Sequence, residues 1–251
     1  MSRLFGLEGR TALVTGARAG IGRASALALA EAGADLVLWG HHDNLDEVAT
    51  AVAERGRKAR TVAADLADPD RVRAAADRVL AEGAVDILVN NAGVIHRAAA
   101  LATDDAAWRQ VMRVNLDSVF LLCRLFGAPM CERGRGKIIN VGSVLSFQGG
   151  FNVSAYATSK HGVAGLTKAL ANEWAASGVN VNAVAPGYVV TDITSPLRRD
   201  DDRSAEIRAR IPAGRWGEPG DVAGSVVFLA SAAADYVHGH VLVVDGGWMA
   251  G

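Results

Sequence analysis

Thr15-Gly16-Ala17-Arg18-Ala19-Gly20-Ile21-Gly22 follows a short β-branched run, Thr11–Thr15, and opens an alanine-rich stretch, Ile21–Ala32. Such a junction reads as first strand, tight turn, first helix. Glycines permit the turn and let a backbone approach a pyrophosphate at the helix N-terminus. Any tight strand–helix connection favours glycine, so the turn acquires meaning from its place in the chain. Its spacing is Gly-x-x-x-Gly-x-Gly, different from the commoner Gly-x-Gly-x-x-Gly fingerprint, and no Lys-Ser/Thr follows to make a Walker A loop.

The same alternation continues outward. Asp35–Trp39, Ala59–Ala63, Ile87–Asn90, Lys137–Val141, Val179–Ala185 and Val241–Val244 read as six further strands. Between them, Asn44–Arg55, Asp68–Glu82, Ala106–Cys131, Ser154–Ala176 and Pro219–Ser231 carry helical patterns. Alternation of this kind implies parallel pairing through crossover helices, and nearly all-apolar strands imply a sheet covered on both faces. The expected fold is α/β: a Rossmann-type, doubly wound parallel sheet of about seven strands. No repeat or linker divides residues 1–251, so a single dinucleotide-binding and catalytic domain is expected. Residues 188–218 break the rhythm. The segment is too long for an ordinary strand–helix connection and follows a strand's C-terminal end, where ligands bind, so it is expected to form a lid.

Composition narrows the function. The chain has 251 residues, 50% hydrophobic and 21% charged, with 26 basic against 27 acidic residues. This balance gives no electrostatic ground for nucleic acid or an anionic membrane. Two cysteines, Cys123 and Cys131, make neither a disulfide framework nor a four-cysteine metal site. They read as core thiols. No uninterrupted apolar run approaches the roughly 20 residues needed to span a bilayer. The N-terminal residues 1–9 lack the long apolar core of a signal peptide. A cytoplasmic protein is expected.

Further candidates lie at successive strand ends. Asp65-Leu66 ends the third strand, where Asp65 can accept from an adenine amine. Asn90-Asn91-Ala92-Gly93 ends the fourth, its small residues allowing close approach to a ribose. Tyr156 and Lys160 are four apart in a helical stretch and share a face. A free tyrosine, with a pKa of roughly 10, is a poor base at neutral pH, and an adjacent ammonium favours its phenolate. Such a phenol can exchange a proton as hydride moves. Ser143 can hydrogen-bond the reacting oxygen. Asn115, mid-helix where asparagine is a poor helix former, can bend that helix or order a water.

Thr15–Gly22, Asn90–Gly93, Asn115, Ser143, Tyr156, Lys160 and Pro186-Gly187 with Thr191 together resemble the motif set of the short-chain dehydrogenase/reductase family, in family order and over essentially the whole chain. The resemblance implies an NAD(P)-dependent oxidoreductase acting on CH–OH groups, without a metal. It implies Tyr156 as general acid/base, Lys160 lowering its pKa and binding the nicotinamide ribose, Ser143 orienting the substrate and Asn115 holding a relay water. It places Gly16, Arg18, Gly20, Ile21, Gly22, His41, Asp65, Leu66, Asn91, Ala92 and Gly93 around the nucleotide, and Pro186, Gly187, Val189 and Thr191 at its nicotinamide end. It also implies a homotetramer, which would bury the exposed-looking Trp248 and Met249.

Ser146–Gly150, Asn172–Ala175, Ala185–Tyr188, Leu197-Arg198, Arg203–Ile207, Arg210–Gly217 and Val244–Trp248 are similar to a branch acting on 2-dehydro-3-deoxy-D-gluconate and its 5-keto form in uronate metabolism. Other aldonates, polyols or a 3-oxoacyl thioester remain alternative substrates, and a non-catalytic dinucleotide-binding regulator the alternative of another class. A sugar acid needs a cationic partner, ideally the planar fork of arginine. The candidates are Arg97, Arg198, Arg203 and Arg215, with Gln148 for a hydroxyl. Arg97 is the favoured one, while Arg198 and Arg203 also read as partners of Asp200–Asp202 and Arg215 as stacking on Trp216. The second strand ends at Gly40, where a carboxylate would select NAD(H). The branch resemblance favours NAD(H), with Asp43 standing in for that carboxylate, whereas Arg18, His41 and His42 permit NADP(H).

Overall fold

The computed structural model describes residues 4–251; Met1–Arg3, at the start of the stretch read above for a signal peptide, lie outside the described residues. Seven strands form one parallel sheet: β1 (Thr11–Thr15), β2 (Asp35–Gly40), β3 (Ala59–Ala63), β4 (Ile87–Asn90), β5 (Gly136–Val141), β6 (Val179–Pro186) and β7 (Val241–Val244). Their order is β3-β2-β1-β4-β5-β6-β7. β1 pairs on one side with β2 (Thr15↔Trp39) and on the other with β4 (Val14↔Val89). The chain reverses its direction of travel between these two pairs, and the crevice that opens there is where ligands bind in such sheets.

Helices α1 (Gly20–Glu31), α2 (Asp46–Ala53), α3 (Pro69–Glu82), α4 (Asp105–Met112), α5 (Ser118–Glu132) and α6 (Ser154–Trp174) cover the two faces, joined later by α9 (Pro219–Ala230). Leu29, Leu36, Leu38 and Val226 fill one face of the sheet, and Leu88, Val79, Phe126 and Met130 the other. Each such side chain contributes roughly 1.5–3 kcal/mol on leaving water. The expected strands and long helices are all present, with ends differing by a residue or two.

Asparagine disturbs the long middle helix as its poor propensity suggests. Arg113–Asp117 form a π turn between α4 and α5. Taken as one stretch, Asp105–Glu132 is long and apolar enough by length and composition to cross a membrane. Here it packs as a core element, α5 lying against α3, β4 and β5.

The lid is ordered. It carries α7 (Ser195–Arg198) and α8 (Asp201–Arg210). Its base is closed by Val190 N–H donating to Gly217 O (2.8 Å) and Gly217 N–H donating to Tyr188 O (2.9 Å). Ile207 and Ile211 pack with Val144 and Trp248, and Trp248 is only 7% exposed. This corrects the expectation that Trp248 awaits a partner subunit: the lid of its own chain covers it. Arg210 lies over the Trp248 ring, 4.0 Å from its centroid.

Candidate active site

The crevice is a cleft of about 590 Å³ walled by the C-terminal ends of β1, β2, β4, β5 and β6 and by the start of the lid. Its nucleotide end is made of backbone. Gly16 and Gly20 have φ of +65° and +55°, a region where side chains are strained. Gly22 has ordinary backbone angles, but a Cβ there would run into Gly16 O and the Asn91 amide. Thr15 Oγ1 accepts from Asn91 N (3.0 Å) and Ala92 N (3.1 Å), and Asn91 Nδ2 donates to Thr15 O (2.9 Å). The Asn91 side chain is thus a brace tying the β4 loop to the turn.

The first residues of α1 have no side-chain cap and no acidic neighbour in the first turn. Open N–H groups at a helix N-terminus, approached over glycine, fit an anionic pyrophosphate. At the other end, a Cβ on Gly187 would lie 2.7 Å from the Asp245 side chain, and Thr191 lies against Gly20. Pro186, Gly187, Val189 and Thr191 all border the cleft, as do Arg18, Ile21, Leu66, Ala92 and Gly93.

The wall beside β2 carries Gly40, His41 and His42. The two imidazoles meet edge to face at 4.2 Å, and His41 Nδ1 lies 3.4 Å from Asp65 Oδ1. Asp65 Oδ1 also accepts from Ala67 N (2.9 Å). A Cβ at position 40 would lie 2.8 Å from His42 O, so the glycine is a steric requirement of this turn. Asp43 is exposed and borders no part of the cleft, so it does not replace the missing carboxylate.

Tyr156 lies in the first turn of α6 and Lys160 one turn later, both facing the cleft. Lys160 is buried, its Nζ donating to Val141 O at 2.7 Å and lying 5.5 Å from the Tyr156 ring centroid. Burial pushes its pKa down to about 8. Burial pushes the Tyr156 phenol up from its ordinary value, opposed by the hydrogen-bonding Ser143 hydroxyl and by the charge of Arg97. The family resemblance gives Lys160 that opposing role; in the structure its ammonium donates to Val141 O and lies 5.5 Å from the Tyr156 ring centroid, and the charge of Arg97 opposes the rise as well.

Ser143 is held at the end of β5. Its Oγ accepts from Leu145 N (3.1 Å), so its hydroxyl proton is directed to the Tyr156 phenol side of the cleft. Ser146 locks the turn to α6 by donating to Lys160 O (2.9 Å). Asn115, fully buried in the π turn, accepts from Val94 N (2.8 Å) and donates to Val94 O (2.9 Å) and Ser159 Oγ (3.1 Å). Ser159 donates in turn to Tyr156 O (2.7 Å). Ser159 and Val141 are not marked out by the sequence. The one signal for Ser159 is a small polar residue between Tyr156 and Lys160, and nothing points to the Val141 carbonyl.

The remaining substrate candidates separate. Arg97 is exposed and borders no part of the cleft, yet its charge acts on Tyr156 and Tyr188. Gln148 is half-buried and borders no part of the cleft. Arg203 sits on the exposed face of α8, paired with Glu206 at 2.8 Å, and Arg198 donates to Thr191 O at 3.3 Å. Neither reaches the cleft, and neither pairs with Asp200–Asp202 through its side chain. Arg215 does not stack on Trp216: both its terminal nitrogens hold Asp221, at 2.6 and 2.9 Å.

A family described as enoyl-(acyl carrier protein) reductase matches residues 16–249. The 2-dehydro-3-deoxy-D-gluconate 5-dehydrogenase of Bacillus subtilis (strain 168) is 52% identical over 245 residues, covering 98% of this chain and 96% of the relative. The chain belongs to the short-chain dehydrogenase/reductase family. It is an oxidoreductase that uses a nicotinamide cofactor. A solved structure from Beutenbergia cavernae, with NADP bound at low occupancy, superposes with a TM-score of 0.97 at 57% identity, covering 98% of this chain and 99% of that one. A gluconate 5-dehydrogenase from Burkholderia cenocepacia J2315, in complex with NADP and tartrate, gives a TM-score of 0.94 at 42% identity, covering 99% and 98%.

Proposed function

We propose that this short-chain dehydrogenase transfers hydride between NADP(H) and the 5-hydroxyl or 5-ketone of 2-dehydro-3-deoxy-D-gluconate and its 5-keto form. The observation that carries the reaction type is the half-buried Tyr156 phenol facing the cleft, with the Ser143 hydroxyl beside it and Lys160 one turn away. The substrate rests on the 52% identity to the Bacillus dehydrogenase over nearly all of both chains. A relative that holds tartrate, itself a hydroxy acid, is consistent with an acidic ligand.

In this reading the cofactor supplies or accepts the hydride, and the chain manages the proton and the geometry. Ser143 turns its hydroxyl proton from the Tyr156 phenol to the substrate oxygen when substrate is bound. Tyr156 gives a proton to that oxygen in reduction and takes it back in oxidation. A phenol whose pKa burial has raised is a ready donor, and the charge of Arg97 moderates the rise. Lys160 stands where its ammonium can meet a ribose hydroxyl, while Asn115 fixes the Val94 loop against α6 and keeps the proton path in register. The uncapped α1 N-terminus and Gly16, Gly20 and Gly22 would hold the pyrophosphate, with Asp65 and Leu66 beside the adenine.

NADP(H) replaces the NAD(H) expectation for two reasons. No carboxylate stands at the end of β2, and Arg18, His41 and His42 border the cleft where a 2′-phosphate would come. We further read the chain as one catalytic unit that works as a cytoplasmic homotetramer. The exposed apolar Trp108 and Phe120 on α4 and α5 support assembly, and two free thiols suit a reducing compartment.

The test is a 340 nm assay of purified protein with both nicotinamide cofactors against the 3-deoxy sugar acid, gluconate, neutral polyols and a 3-oxoacyl thioester. Selective turnover of the 3-deoxy acid with NADP(H) is expected, with kcat falling about 100- to 10,000-fold in Tyr156→Phe while NADPH binding persists. Turnover of polyols or thioester alone would overturn the substrate. Undiminished Tyr156→Phe activity would overturn the mechanism.

A further inference from the structure

The last residues of the chain form a post on which the lid is seated. After β7, Asp245 closes a tight turn, its carboxylate accepting from Gly247 N (2.8 Å) and Met249 N (2.9 Å). The returning limb of the lid is pressed onto that turn. Ala213 N donates to Gly246 O at 3.0 Å, and a Cβ on Gly247 would lie 2.9 Å from Pro212 Cγ. Trp248 then enters the lid itself. Its ring centroid lies 4.7 Å from that of Tyr188 and 4.0 Å from the Arg210 guanidinium. The indole N–H is buried without a partner. A core chosen for cohesion alone would take phenylalanine here, since an unpaired buried donor is destabilising.

The cluster around Trp248 has one buried member that belongs to neither the lid nor the C-terminal segment. That member is Val144, only 4% exposed. Val144 follows Ser143 and opens the 3-10 turn Val144–Ser146. The turn holds Ser143 by both its groups: Leu145 N donates to Ser143 Oγ (3.1 Å), and Ser143 N donates to Ser146 Oγ (3.2 Å). One peptide bond therefore separates the packed valine from the serine that hydrogen-bonds the Tyr156 phenol. Packed side chains shift between discrete arrangements rather than deforming smoothly, so a change at Trp248 reaches Val144 through the cluster.

We propose that Trp248 is a positioning residue for Ser143: through Val144, the C-terminal turn passes the seating of the lid to the serine. The inference rests on the Ser143 role given above and adds the route by which a distant segment governs it. With the lid seated, Ile207, Ile211 and Trp248 hold Val144, and the Ser143 hydroxyl keeps its aim on Tyr156. Seating of the lid and completion of the Ser143–Tyr156 pair then become one event.

The experiment is a double-mutant cycle on kcat between Trp248→Ala and Ser143→Ala, with Trp248→Phe and Val144→Ala as further single variants. It uses saturating NADPH, well below each Tm, and the panel compound that wild type turns over fastest. Trp248→Ala is expected to lower kcat about 10- to 30-fold, with NADPH affinity within about threefold of wild type. Trp248→Phe and Val144→Ala are expected to lose about three- to tenfold. On the Ser143→Ala background, Trp248→Ala should cost less than about twofold, because the serine it positions is gone. Multiplicative losses in the double variant would overturn the proposal. So would a raised KM with kcat unchanged, the mark of a lid that binds substrate without reaching the serine. If Trp248→Ala does not fold, Val144→Ala in the same cycle decides on the same criteria. A second readout needs no turnover. Spectrophotometric titration of paired proteins with and without Tyr156→Phe isolates the Tyr156 phenol. Trp248→Ala should move that titration to higher pH, because the Ser143 hydrogen bond lowers the phenol's pKa. An unmoved phenol would overturn the proposal. Should Ser143→Ala alone keep wild-type kcat, the Ser143 role falls, and the titration still decides whether Trp248 positions the hydroxyl.

Discussion

The floor of the cleft and its lid are built on opposite principles. On the floor, polar side chains are tied to the sheet, the β4 loop or α6: Thr15 with Asn91, Asn115 with Val94 and Ser159, Lys160 with Val141. In the lid, an aromatic and aliphatic cluster around Trp248 carries the packing, while Arg203–Glu206, Arg215–Asp221 and Arg18–Asp192 are exposed ion pairs. Buried networks are costly to break, since a group left without its partner has no water to turn to. Exposed ion pairs typically contribute about 1 kcal/mol or less. On the proposed function, the proton chemistry sits where alternatives are expensive.

The contrast breaks most sharply at Gly22. A methyl group there would occupy the space of Gly16 O and the Asn91 amide, the two groups that brace the nucleotide turn. Gly22→Ala is expected to cost about 2 kcal/mol in stability, as overpacking typically does, and to weaken NADPH binding on the order of 100-fold. Thermal unfolding with and without NADPH measures both, because a protein that binds no ligand shows no ligand-dependent rise in Tm. Wild-type NADPH affinity in this variant would show the floor to be as adaptable as the lid.

Lys160 sharpens the comparison through pH. Burial lowers its pKa from 10.5 to about 8, so between those values the folded protein binds fewer protons than the unfolded chain. Stability then rises with pH across that window. Below about pH 8 both states hold the proton, and the burial cost stays constant. Tyr156, its pKa raised by burial in the folded state, is present in wild type and in Lys160→Met alike, so its titration largely cancels between them. From pH 7.5 to 9.5, wild type should therefore gain on the order of 2 kcal/mol relative to Lys160→Met. Parallel denaturation midpoints across that range would refute a desolvated ammonium.

Much of this floor was legible because its information is local. Strands of nearly unbroken Val, Ile, Leu and Ala announce a sheet covered on both faces, and Tyr156 and Lys160 share a helix face through spacing alone. What escaped depends on contacts between distant segments. The backbone hydrogen bond from Ala98 to Asn152, which ties the β4 loop to the start of α6, is encoded by no side-chain pattern. Trp248 looked exposed near the chain end because the lid that covers it is a separate insertion. Gly40 read as a missing carboxylate, although the turn at His42 leaves no room there for a side chain. Arg215 looked like a stacking partner for its neighbour, but a carboxylate one turn into α9 forms two hydrogen bonds with it.

That carboxylate gives the smallest expected effect. Asp221 accepts from both Arg215 nitrogens and from Glu218 N at 2.7 Å, and its pKa is lowered to about 2, chiefly by the Arg215 hydrogen bond. A depressed carboxyl pKa gives stability that is present above its ordinary 3.8 and is lost as pH falls through about 2. The pair is exposed, so solvent screens most of that gain. Asp221→Asn is expected to lower Tm by less than about 2 °C at pH 7, with the difference shrinking in molar salt and toward pH 2. Turnover should change less than about twofold, because the aromatic cluster, and not this ion pair, holds the lid in place. A loss above about 5 °C that persists in molar salt would place the lid's cohesion in Asp221 itself. Lid and floor would then share one principle, polar groups with no substitute partner, and the aromatic cluster would be a passenger on it.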